Sequence, residues 1–153
     1  MTRKIAILTA AALGLMGCEP RDEGVKAEIP DEPLSGTIDG APWSYHLGLS
    51  DPFLASDDEW FVHVSDQDID CDRIDGGSAL LFRLPAHEGE WEITDRDEFV
   101  FYVQATGQSH QALEGVIRVD RVTNDHIDGA LMARIDDAFD VAGTFTVLRC
   151  TGI

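Results

Sequence analysis

Apolar and polar positions alternate with a period of two along most of this chain, and the last third shows it most plainly. In residues 114–122, Ile117 and Val119 alternate with Arg118 and Asp120, the pattern of a strand with one buried face. Residues 127–135 place Ile127, Leu131, Ala133 and Ile135 on one side, and residues 140–150 point Val141, Phe145 and Val147 one way. Turn residues separate these runs at Thr123-Asn124-Asp125 and Asp136-Asp137-Ala138, so the expected arrangement is an antiparallel three-stranded meander. Upstream, residues 35–39 and 43–47 read as two short strands around the Asp39-Gly40 turn. Further strands are expected at 60–64, at 78–84 where Pro85 stops the run, and at 98–105. The last of these carries apolar residues on both faces, with Phe99, Phe101 and Val103 opposite Val100 and Tyr102, which suits an interior strand. No window carries a 3.6-residue apolar stripe. The prediction is an all-β fold, an antiparallel β-sandwich of about eight or nine strands, with a small barrel as the alternative.

The N-terminus departs from this pattern. Arg3 and Lys4 precede an apolar run over residues 5–15, which is too short to cross a hydrocarbon core needing roughly 17–25 residues but has the size of a signal-peptide core. Leu15-Met16-Gly17-Cys18 resembles the lipobox of bacterial lipoproteins. The resemblance implies a signal peptide over residues 1–17, acylation of Cys18 and attachment to a bilayer that the chain does not span. Two or three acyl chains anchor stably where one holds only marginally. In the same families, Glu19 after the cysteine points to the outer membrane of a bacterial envelope. Residues 18–33 are charged and Pro-rich with almost no apolar periodicity, so they read as a lipidated cysteine followed by an acidic linker, and the folded domain is expected over 34–153. The patterns Val141-x-Gly143-Thr144-Phe145 and Ser35-Gly36-x-Ile38-x-Gly40-x-x-Trp43 are similar to those of uncharacterised small bacterial lipoproteins. That likeness implies a β-sandwich and no particular activity.

Charge removes one class of partner. The 153 residues carry 11 Lys+Arg against 29 Asp+Glu, a formal net of -18, which repels phosphate backbones and excludes nucleic-acid binding by electrostatics. A cationic envelope protein is the partner class such a surface favours. With Cys18 assigned to lipid, Cys71 and Cys150 remain as a pair, and in an oxidising compartment they are expected to form a disulfide.

The densest chemical feature is the run from Asp66 to Gly77, where Asp66, Asp68, Asp70, Asp72 and Asp75 recur at close spacing. Hard cations need several oxygen ligands close together, so these five residues are the candidates for a Ca2+ site. The helix-flanked calcium loop does not fit, because Cys71 stands where that loop needs Gly and Gly77 where it needs Glu. An acidic, solvated loop pinned by Cys71 is the simpler expectation. The five His residues lack metal-pair spacing, and no nucleophile elbow, zinc-protease helix or phosphate loop occurs. Trp43, Tyr45, Trp60, Trp91 and Tyr102 read as core or rim aromatics, with an exposed binding platform as the other reading. The functional expectation is a lipid-anchored, non-enzymatic binding or interaction module. A calcium-binding sandwich and a hydrolase with a loop-assembled site are its rivals.

Overall fold

The computed structural model describes residues 28–151, so the expected signal peptide and Cys18 lie outside the described residues. Among the described residues eleven strands form: β1 (Ser35–Ile38), β2 (Ala41–Ser44), β3 (Leu47–Ser50), β4 (Glu59–Ser65), β5 (Ala79–Pro85), β6 (Gly89–Thr94), β7 (Phe99–Val103), β8 (Gln108–Gln111), β9 (Glu114–Val122), β10 (His126–Asp136) and β11 (Phe139–Leu148). The described fold is all-β, as the period-two pattern predicts. Nine strands follow one hydrogen-bonded path, β6-β9-β10-β11-β3-β4-β5-β7-β8, and the β1–β2 hairpin joins it through β11.

Two antiparallel halves make up this path. The β9, β10 and β11 strands form the expected meander, with β6 added at its outer side. β3, β4, β5, β7 and β8 form the other half. Only a short parallel ladder connects them, Val147 opposite Gly48 and Leu148 opposite Leu49. Side chains reinforce this joint: the Tyr45 hydroxyl donates to the Thr146 carbonyl at 2.8 Å, and the Cys150 N–H donates to the Ser50 hydroxyl at 2.9 Å.

The sheet curls until its halves face each other. On a flat sheet with strands about 4.8 Å apart, β5 would lie roughly 14 Å and β7 roughly 19 Å from β11. Instead, Phe82 of β5 meets Phe145 of β11 with ring centroids 6.0 Å apart, and Phe101 of β7 meets Phe139 of β11 at 5.5 Å. One core fills the enclosed space, built from the inward residues of both halves and from Trp43 and Trp60. Facing halves are the sandwich feature of this fold, and the unbroken ladder through β11 and β3 is its barrel feature.

Local chemistry accounts for the element ends. Asp39 and Gly40 both have positive φ, 53° and 72°, the geometry of the two-residue hairpin turn that Asp-Gly favours. Between β2 and β3 the chain changes partners: the Tyr45 N–H donates to the Leu34 carbonyl and the His46 N–H to the Ser65 carbonyl. That change splits the expected strand at 43–47 in two. Packing also begins upstream of Leu34, since Ile29 is buried and the Glu32 carbonyl accepts the Thr144 N–H at 2.8 Å.

Candidate functional site

A cleft of about 340 Å³ opens between β6 on one side and the adjoining ends of β5 and β7 on the other. That volume lies at the lower end of what ligand pockets enclose, roughly 300–1,000 Å³. Its floor is apolar, made by Phe82, Ile93, Phe99 and Ile117, all buried residues whose strands aim them inward. Half-buried Trp91 stands on the β6 wall, with the His87 ring edge-on to it at 5.1 Å. The rim is charged. Arg83 Nη1 lies 3.1 Å from Glu59 Oε1, its Nε contacts Glu98, and these two carboxylates hold the guanidinium even more firmly protonated. Glu92 and Asp97 add two further carboxylates to the lining, so four acids surround one base. The rim therefore attracts cations, while the floor accepts apolar groups.

The acidic loop is built differently. Within residues 66–77, Ile69 packs against Leu49 and Cys150 in a small second cluster separate from the main core. The Cys71–Cys150 disulfide forms, with Cα atoms 5.5 Å apart. The five aspartates are not brought together. Asp68 pairs with His46 at 2.7 Å, and Asp70 caps its own turn by accepting the Asp72 and Arg73 N–H groups at 3.0 and 2.8 Å. Asp72 and Asp75 face solvent. Among the described residues no three His, Cys, Asp or Glu side chains are grouped as a metal ion would need. Asp70 thus satisfies turn amides, the ordinary work of Asp in turns, and the other exposed carboxylates of the loop are solvated or paired with His46.

Asp66 differs from the rest of the loop in that its Oδ1 is buried without a hydrogen-bond partner. Burial pushes this carboxyl up from its ordinary range, and backbone groups of Ser78 and Asp66 itself oppose the shift in part. A carboxyl raised on folding binds its proton more tightly in the native state, so this group costs stability at neutral pH and the cost fades as pH falls through the raised value. Asp66→Asn is expected to stabilise the protein slightly near neutral pH, by roughly a few tenths of a kcal/mol, because solvent screens a carboxyl that is only part-buried. The gain should shrink in mild acid. Urea melts at the two pH values check this, and an equal gain in both would sever the effect from titration.

Of the aromatics, Trp43 and Trp60 are core residues. The Trp43 indole N–H donates to the Ser78 carbonyl at 2.9 Å, and the Arg149 guanidinium lies 5.5 Å over the Trp60 ring. Neither can serve an exposed platform. Tyr45, Trp91 and Tyr102 are half-buried, and of the five only Trp91 lines the cleft. Among the described residues four large apolar side chains, Phe53, Leu54, Leu113 and Leu148, are exposed, and none of them lines the cleft. Phe53, 90% exposed, and Leu54 stand on the loop between β3 and β4, their N–H groups held by Asp51 Oδ1 at 2.8 and 3.1 Å. Sequence reading missed the cleft because its walls are distant in the chain, although the Glu90-Trp91-Glu92-Ile93 alternation marks one of them. Compared with known proteins, the chain matches no family model, no curated protein and no solved structure.

Proposed function

We propose that this protein is a lipid-anchored bacterial envelope protein, a non-enzymatic binding module that presents the cleft between β5 and β6 to a cationic protein partner. The observation that carries the reading is an apolar floor ringed by four carboxylates and one arginine. Anchoring through Cys18 rests on the lipobox-like Leu15-Met16-Gly17-Cys18, and placement at the outer membrane on Glu19. Cleavage before Cys18 would leave 11 − 2 = 9 cations against 29 anions, so the domain would be repelled by anionic headgroups. Ile29 is buried, so the folded domain takes in the end of the charged stretch 18–33 and leaves less of it to act as a tether.

Two measurements test the proposal. Cys18→Ala is expected to move the protein from the membrane to the soluble fraction with its β-sheet circular dichroism unchanged, and continued sedimentation with membranes would overturn lipid anchoring. Cross-linking in the native envelope followed by mass spectrometry is expected to recover one recurrent basic protein, in near-equal amount, whose capture falls with Glu92→Lys. Recovery that ignores this charge reversal would take the cleft out of the interaction.

A further inference from the structure

Among the described residues β6 has a ladder partner on one side only, where Gly89–Thr94 pairs with β9. β5 is paired on both sides through residues 79–82, but Arg83, Leu84 and Pro85 run beyond the end of β7 and pair with β4 alone. Arg83 and Pro85 from the one edge, and Trp91, Glu92 and Ile93 from the other, line the cleft. Strand edges present unpaired N–H and C=O groups, which a further strand can satisfy. On β6, exposed Glu90 and Glu92 alternate with half-buried Trp91 and buried Ile93. A second copy of β6 laid antiparallel on this edge would set glutamates against glutamates, so like charge opposes self-pairing. Basic residues at the same positions would turn that repulsion into attraction.

We propose that the β6 edge takes up an extended segment of a basic protein as an added strand, in which Lys or Arg alternates with apolar residues. The basic side chains lie beside Glu90 and Glu92, and the apolar ones cover the floor of Phe82, Phe99 and Ile117. Main-chain hydrogen bonds supply affinity in this mode, and the alternation supplies specificity. The inference rests on the reading of the protein as a binding module for a cationic partner, and it adds the mode of recognition and the pattern recognised.

The test uses the full-length protein in mild detergent at physiological ionic strength, with two fluorescent hexapeptides of identical composition. One alternates lysine and valine, and the other groups three lysines before three valines. The alternating peptide is expected to bind about tenfold more tightly, a difference of about 1.4 kcal/mol, and to slow hydrogen exchange of β6 amides. Methylating every second backbone nitrogen of that peptide should abolish binding, because it removes the donors a ladder needs. Reversing Glu90 and Glu92 to lysine should weaken binding about tenfold, while Asp72→Lys in the acidic loop leaves it unchanged. Equal binding of the two isomers, or indifference to methylation, would overturn strand addition and leave the acidic cleft as a cation-attracting contact. Binding of neither isomer would overturn strand addition and the cleft's role together.

Discussion

Replacing Phe82 with alanine is expected to cost about 3–5 kcal/mol of folding free energy, the range for removing a buried aromatic ring. Against a total of about 5–15 kcal/mol for a domain, that is a large share. The ring is 1% exposed, stacked on Phe99 with centroids 4.8 Å apart and edge-on to Phe145 at 6.0 Å. Its position explains the size of the effect. Phe99 belongs to the same half of the sheet and Phe145 to the other, so the ring ties together halves whose ladder connection is only two residue pairs long. Phe82 also forms part of the cleft floor, so the variant should bind a cationic partner more weakly as well as unfold earlier. Phe61→Ala is the control, because Phe61 is half-buried on the opposite face of β4, and it should cost clearly less. Urea denaturation of both variants checks the prediction. A loss at Phe82 no larger than at Phe61 would mean that the halves are not held through this ring.

Removing the disulfide is the other large effect. With 79 residues of separation between Cys71 and Cys150, the chain-entropy relation gives about 4.5 kcal/mol, most of it through restriction of the unfolded chain. Cys71→Ala with Cys150→Ala should lower the urea midpoint accordingly, and reduction of the wild type should reproduce it. The folded state loses less. Cys150 N–H remains bonded to the Ser50 hydroxyl, and Ile69 still packs against Leu49 beneath the acidic loop. Hydrogen exchange in the core strands of the double variant should therefore fall in step with global stability, while residues 66–77 lose protection beyond it. A double variant as stable as the oxidised protein would show that the reduced unfolded chain is already restricted.

How far the fold can be read from the chain depends on which contacts define each element. β9, β10 and β11 are long, alternate along most of their length and are joined by short polar turns, so their pairing is local and legible even though each ladder carries one register shift. The Asp39-Gly40 hairpin is legible for the same reason, since two adjacent residues set its turn. β8 is not, because Gln108-Ser109-His110-Gln111 has no apolar face of its own and is held in strand form by pairing with β7. β6 lies between these cases. Trp91 and Ile93 alternate with glutamates, a readable signal, but it is short and flanked by charged turns. The acidic loop shows the converse. Five spaced aspartates suggest convergence on an ion, yet spacing in sequence does not say where side chains point, and local turns claim Asp70 while His46 claims Asp68.

By itself, the sequence determined the all-β class, the C-terminal meander, the Asp-Gly hairpin and the cysteine pair, because each depends on side-chain period, turn chemistry or elimination among a few residues. Tertiary structure alone decided that β11 meets β3 in parallel, that the sheet curls until Phe82 reaches Phe145, and that a cleft opens where β5 outruns β7 beside the edge of β6 that no described residue pairs. These are contacts between segments far apart in the chain. No local pattern encodes them, since the same alternating strands would satisfy their apolar faces in more than one order, and the choice falls to how one shared core packs.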